Sequence, residues 1–156
     1  CDELHDRWES EINAKKLRWR CDIGDDCPNV FANPYLLTLV LDNLVDNAVK
    51  FTDPGGQHGV SCRCEGATVE IEVFDTGCGI ATHEHHRVFE RFYQVEVGRS
   101  GGVETAPRPR GSGLGLSIVK HAVAAMGGSV HLDSAPGRGT RVSVTIPNQQ
   151  HSVTKT

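Results

Sequence analysis

Two runs of alternating residues, VSCRCEG (60–66) and TVEIEVFD (68–75), are separated by almost nothing but a Gly66-Ala67 turn. Period-two alternation marks half-buried strands, and a connection this short leaves the two strands antiparallel pairing alone. A second pair, SVHLDS (129–134) and TRVSVTIP (140–147), flanks the turn APGRG. Helical periodicity fills the rest. Leu4, Trp8 and Ile12 recur at i, i+4 and i+8 within residues 2–15, and KLRWRCDI (16–23) then alternates like a strand. Asn33-Pro34 caps and starts a helix running to about Phe51, which DPGG (53–56) ends. HEHHRVFERF (83–92) reads as a short helix, and residues 113–126 as a strong one stopped by Gly127-Gly128. Hairpins with helices between them predict an α+β fold: a two-layer sandwich whose mixed, mainly antiparallel sheet carries three main helices on one face. There is no β-α-β alternation of Rossmann type, which argues against that arrangement.

The chain's 156 residues suit one domain with a core, and a net charge of −4 implies no general nucleic-acid field. No apolar run approaches the roughly 18 residues of a membrane span, and no signal peptide is visible. No pair among the six cysteines (1, 21, 27, 62, 64, 78) has C-x-x-C spacing. They read as reduced thiols of an intracellular protein. The polar tail 148–156 is expected to be loose.

The helix 34–51 contains a puzzle, because Asn43 and Asn47 interrupt an apolar stretch where asparagine amides compete with the backbone. On a helical wheel Leu37, Leu41, Leu44, Ala48 and Phe51 form the expected core stripe. Asn43, Asn47 and Lys50 make a polar stripe on its border, with Asp42 and Asp46 near the solvent side. Such a stripe is either a wet flank or a ligand wall. As a wall, amide oxygens suit a hard cation, amide NH₂ groups suit phosphate oxygens, and the lysine suits an anion.

Two glycine loops follow. In DTGCGI (75–80), Gly77 and Gly79 allow φ > 0 and close approach of a flat ligand, while Asp75 can accept from an exocyclic amine. Cys78 reads as a tolerated small residue there, with a redox-active thiol as the lesser reading. GSGLGL (111–116) opens a helix with unobstructed N–H groups, which favours anions, but lacks the G-K-[ST] of a P-loop. Residues 95–112 between these loops lose periodicity, as a lid does, and hold Arg99, Arg108 and Arg110, cations suited to terminal phosphates. His83, His85 and His86 lack the H-E-x-x-H spacing of a zinc site.

Taken in order, N-L-x-x-N-A-x-K-F-T (43–52), D-T-G-x-G-I (75–80), F-E-R-F (89–92), G-S-G-L-G-L (111–116) and G-x-G-T (137–140) resemble the ATP-binding catalytic domain of bacterial sensor histidine kinases. That family shares its fold (Bergerat, or GHKL) with gyrase, heat-shock chaperone and mismatch-repair ATPases, and the resemblance covers about residues 2–147. It implies ATP and Mg²⁺ as cofactors. Asn47 matches the Mg²⁺ ligand, Asn43 lines the phosphate site beside it, and Lys50 matches the base that reaches the phosphates. These three are the residues implied in catalysis. Phe51 would stack on adenine, and Asp75 would accept from its amine. Gly77, Gly79 and Ile80 shape the base pocket, with Thr140 near the base. Phe89 and Phe92 match the box that anchors the lid, with Tyr93 following. Arg108 and Arg110 would reach the phosphates from the lid, and Gly111, Ser112, Gly113, Leu114, Gly115 and Leu116 would hold them through backbone N–H groups.

Related ATPases carry a glutamate where this chain has Asn43, and an amide cannot act as the general base that activates water. The resemblance therefore implies transfer of the γ-phosphate rather than hydrolysis. The acceptor would be a histidine on a separate helical-hairpin dimerisation domain, with a response regulator downstream. No acceptor motif is present, since His5 is followed by Asp6-Arg7-Trp8. The expected organisation is residues 1–15 as the end of a linker plus first helix, 16–147 as the catalytic domain and 148–156 as tail. The isolated domain is expected to be monomeric, to bind no nucleic acid, and to be cytoplasmic, including as the cytoplasmic part of a membrane-bound kinase. The other readings are an anti-sigma-type serine kinase of the same fold and a catalytically silent, nucleotide-dependent interaction module.

Overall fold

The computed structural model describes residues 2–24, 30, 32–95 and 111–148. Its elements run α1 (Asp2–Ala14), β1 (Arg18–Ile23), α2 (Pro34–Phe51), β2 (Gln57–Glu65), β3 (Thr68–Asp75), two 3₁₀ turns (Thr82–Glu84 and Arg87–Phe89), α3 (Gly115–Ala125), β4 (Ser129–Ser134) and β5 (Thr140–Pro147). The five strands form one sheet in the order β1-β2-β3-β5-β4. Only β1 and β2 pair in parallel, and both hairpins are antiparallel. This is the two-layer α+β sandwich that the alternating runs require.

Alternation within the strands decides which face meets the helices. Val69, Ile71 and Val73 of β3 are buried, as are Val142, Val144 and Ile146 of β5. They pack against Val40, Leu44, Val45, Ala48 and Val49 of α2 and Val119, Ala122 and Val123 of α3. The intervening residues face water, where Arg141 reaches Glu72 at 2.5 Å. Leu4 and Ile12 bury the inner face of α1, so this helix belongs to the same core.

Several expectations need correction. Of the core stripe expected on α2, Leu44 and Ala48 are buried, but Leu37, Leu41 and Phe51 are half-buried, and Val40, Val45 and Val49 are buried beside Leu44 and Ala48 instead. Helices α1 and α3 and the sheet cover α2 from several sides, so its buried arc is turned toward the valines. The helix expected over 83–92 is two short 3₁₀ turns. Strand β2 begins at Gln57, three residues before the alternating run, because pairing with β1 and β3 extends through His58 and Gly59. Cys21 and Cys64 each take part in a disulfide, against the expectation of reduced thiols throughout. Among the described residues no helix is long and apolar enough to cross a membrane.

Candidate active site

Helix α2 brings its polar stripe to the rim of the core. Its start is fixed by Asn33, whose side chain accepts from Tyr35 N at 3.0 Å and Leu36 N at 3.1 Å, with Pro34 following at the first turn. From there Asn43, Asn47, Lys50 and Phe51 all face a single cavity of about 1100 Å³. Asp75, Gly79 and Ile80 line it from the end of β3, and Thr140 from the start of β5. Phe92 and Tyr93 line it, as does the whole 111–116 segment: Gly111, Ser112, Gly113, Leu114, Gly115 and Leu116. Asn43 spends its Nδ2 on the Leu39 carbonyl at 2.7 Å, which leaves its Oδ1 toward the cavity.

The N-terminus of α3 enters the cavity bare. Leu114, at the cap, makes no side-chain capping bond, and the first turn holds no acidic residue. Leu114 N donates to Ser112 Oγ at 3.3 Å, so it is the N–H groups of the first turn after it, with the positive end of the helix dipole, that face the cavity. Gly115 is packed against the two asparagines: a Cβ there would lie 3.3 Å from Asn43 Oδ1 and 3.5 Å from Asn47 Nδ2. Amide oxygens and helix N–H groups are thus brought side by side, a donor set that suits a hard cation together with an anion.

Asp75 adds a carboxylate to the same cavity. Its Oδ1 accepts from Gly77 N at 2.7 Å, which fixes the carboxylate's direction. Burial raises its pKa to about 6, although the Gly77 and Thr140 backbone donors oppose the shift. Gly77 does not itself line the cavity. Its place is structural, since a Cβ on it would stand 2.3 Å from the Phe51 carbonyl oxygen. Gly79, at φ +69°, takes the left-handed conformation that the loop needs.

The two ends of the lid meet. Phe92 N donates to Gly113 O at 2.8 Å, and Gln94 Nε2 donates to Gly111 O at 2.6 Å. Phe89 packs against the core, but Phe92 is 73% exposed at φ +64°, so it is not the hydrophobic anchor the sequence suggested. Backbone pairing and Gln94 hold that end of the lid. Tyr93 is fixed by its hydroxyl on Glu84 and by Arg87, whose guanidinium lies 4.2 Å from its ring centre. Arg99, Arg108 and Arg110 lie outside the described residues.

Three participants escaped the sequence reading. Asp46, expected on the solvent side, lines the cavity and accepts a hydrogen bond from Lys50 Nζ. Helical spacing of i, i+4 was the available signal. Ser134 takes Ile80 N at 2.8 Å and donates to Gly139 O at 2.8 Å, bracing one glycine loop on the other. Its partner is 54 residues away, so no local pattern announces it. Lys15 is the third. Cys78 also lines the cavity as a free thiol.

Residues 32–150 match the family of histidine kinase-, DNA gyrase B-, and HSP90-like ATPases. The sensor-like histidine kinase SenX3 of Mycolicibacterium smegmatis is 41% identical over 128 residues, covering 80% of this chain and 32% of that protein. The adaptive-response sensory kinase SasA of Crocosphaera subtropica is 32% identical over 146 residues, covering 93% of this chain and 36% of that protein. This chain therefore spans about a third of the length of these relatives. The structure of the mycobacterial sensor histidine kinase MprB superposes with a TM-score of 0.73 at 29% identity, covering 95% of this chain and 94% of that one. Full-length ShkA in complex with AMPPNP superposes at 0.79 with 28% identity, covering 94% of this chain and 28% of that one. Fold, cavity and relatives agree that the chain belongs to the histidine kinase-, DNA gyrase B- and HSP90-like ATPases, as an ATP-binding domain of the sensor histidine kinase type.

Proposed function

We propose that this domain binds Mg²⁺–ATP in the described cavity and presents its γ-phosphate to a histidine on a separate helical-hairpin domain of the parent kinase, from which a response regulator is phosphorylated. The observation that carries this reading is the convergence on one cavity of Asn43, Asn47 and Lys50, the N-terminus of α3, and Asp75. The first groups suit phosphates and Asp75 an adenine amine.

In this reading Asp75 accepts from the adenine amine, Phe51 stacks on the base, and Gly79, Ile80 and Thr140 enclose it. Backbone N–H groups of the 111–116 segment would hold phosphate oxygens, and Lys50 would add positive charge near them. Mg²⁺ would be held by Asn47, with Asn43 beside it, and supplies charge neutralisation between phosphates when bound. Asn43, an amide, abstracts no proton, so the site orients ATP and leaves water unactivated. Residues 1–15 would lead in from the hairpin with α1 packed into the core of this domain, and 16–147 would form the rest of the catalytic domain.

The test mixes the chain with the cognate hairpin domain and γ-labelled ATP. Acid-labile, base-stable label on the hairpin is expected, with none on this chain alone. Label on a serine instead would favour the serine-kinase alternative, and ATP binding without any transfer would favour the silent module.

A further inference from the structure

Helix α2 ends at Phe51 with carbonyls that no helical N–H can satisfy. Ala48 O accepts from Thr52 N at 3.1 Å and from Thr52 Oγ1 at 2.5 Å. The next carbonyls turn to α1. Lys15 Nζ donates to Val49 O at 2.6 Å, Lys50 O at 2.9 Å and Thr52 O at 3.1 Å. All three donors of one ammonium are used, on a segment 34 to 37 residues away. The Lys15 carbonyl accepts from Gly55 N at 3.0 Å, so backbone and side chain of one residue grip both sides of the α2–β2 turn.

The gripped segment is a wall of the nucleotide site. Lys50 and Phe51 line the cavity, and the Phe51 carbonyl is the surface on which Gly77 packs without room for a Cβ. Gly77 N in turn aims the Asp75 carboxylate. A chain of contacts thus runs from Lys15 through the last turn of α2 to the adenine-side carboxylate. A cation at a helix C-terminus also meets the negative end of its dipole.

We propose that Lys15 is a positioning residue for nucleotide binding: by gathering the Val49, Lys50 and Thr52 carbonyls it sets Lys50, Phe51 and the Asp75 loop at their working spacing, and so makes the turn that follows α1 a support of the ATP site. The proposal rests on the reading that ATP occupies this cavity and needs nothing of the transfer step.

The experiment measures ATP–Mg²⁺ affinity by calorimetry on the 156-residue chain, well below each variant's unfolding midpoint, for wild type, Lys15→Met, Lys15→Gln and Lys15→Arg. Arg7→Ala serves as control. It removes the exposed Arg7–Asp42 pair, 3.0 Å long, which also ties α1 to α2 but lies away from the gripped turn. Lys15→Met should weaken binding about tenfold, in line with loss of charge-assisted bonds, and speed amide exchange at residues 49–55 and 76–79. Lys15→Gln should fall between, Lys15→Arg should restore most of the affinity, and Arg7→Ala should bind as wild type. Lys15→Gln carries the test if the Met variant does not fold. Wild-type affinity in folded Lys15→Met and Lys15→Gln overturns the proposal, as does an equal loss in Arg7→Ala, which would mean general loosening of α1. Absence of wild-type binding overturns the nucleotide reading and the proposal with it.

Discussion

Asp75 and His58 are partners in the β2–β3 register, and burial acts on them in opposite directions. His58 is fully buried, its two ring nitrogens have no hydrogen-bond partner, and its ring packs edge-on against Trp19 at 5.1 Å. Burial, with His5 adding repulsion, lowers its pKa to about 4. The fold thus favours neutral His58. Its contribution is complete above the ordinary value of 6.5 and is lost as pH falls through 6.5 toward 4. The loss is on the order of 3 kcal/mol. Replacing His58 with Leu should flatten the acid limb of a pH–stability curve measured by urea denaturation. Asp75 behaves in the reverse sense. Its raised pKa means that ionisation opposes folding, so its contribution is largest below 3.8 and falls as pH rises to about 6. Asp75→Asn should therefore raise the unfolding midpoint at pH 7 while weakening ATP binding tenfold or more, by about 1.4 kcal/mol at least. Equal ATP binding by the two proteins would rule out the adenine assignment. In wild type, ATP affinity should decline as pH drops below about 6, where the free carboxyl takes up its proton.

At the scale of elements, the junction between α2, α3 and the Asp75 loop sets the cavity's shape. Gly77→Ala would drive a Cβ into the Phe51 carbonyl, and backbone cannot yield as a flexible side chain can. The variant should lose about 1–3 kcal/mol of stability and most ATP affinity, read by thermal melts and calorimetry together. Gly115→Ala meets only the Asn43 and Asn47 amides, at 3.3 and 3.5 Å. It should fold with near-normal stability and lose affinity for the phosphates, seen as a larger defect with ATP than with adenosine. The polar stripe at Asn43, Asn47 and Lys50 was legible on a helical wheel, since spacing along one helix fixes direction. The full inward turn of Val40, Val45 and Val49 was not, because α1, α3 and the sheet decide which arc of α2 is covered.

For the whole molecule, α1 counts as part of the domain's core. Burial of Leu4 and Ile12 contributes about 1.5–3 kcal/mol each. Deleting residues 1–14 should thus lower the unfolding midpoint steeply, as circular dichroism would show, whatever precedes this helix in the parent protein. The sequence alone determined the hairpins, the helices and hence the sandwich, because alternation and helical periodicity are local properties of the chain. It also named most of the boxes that line the cavity, because each box sits within one element or turn. Only the tertiary structure decided how the boxes are braced. Ser134 under Ile80, Asp46 on Lys50, and Lys15 across the end of α2 are contacts between a side chain and whatever polar group the fold leaves unsatisfied nearby. Two of these span tens of residues, and no local period encodes which carbonyl or N–H will be left over until the elements have packed.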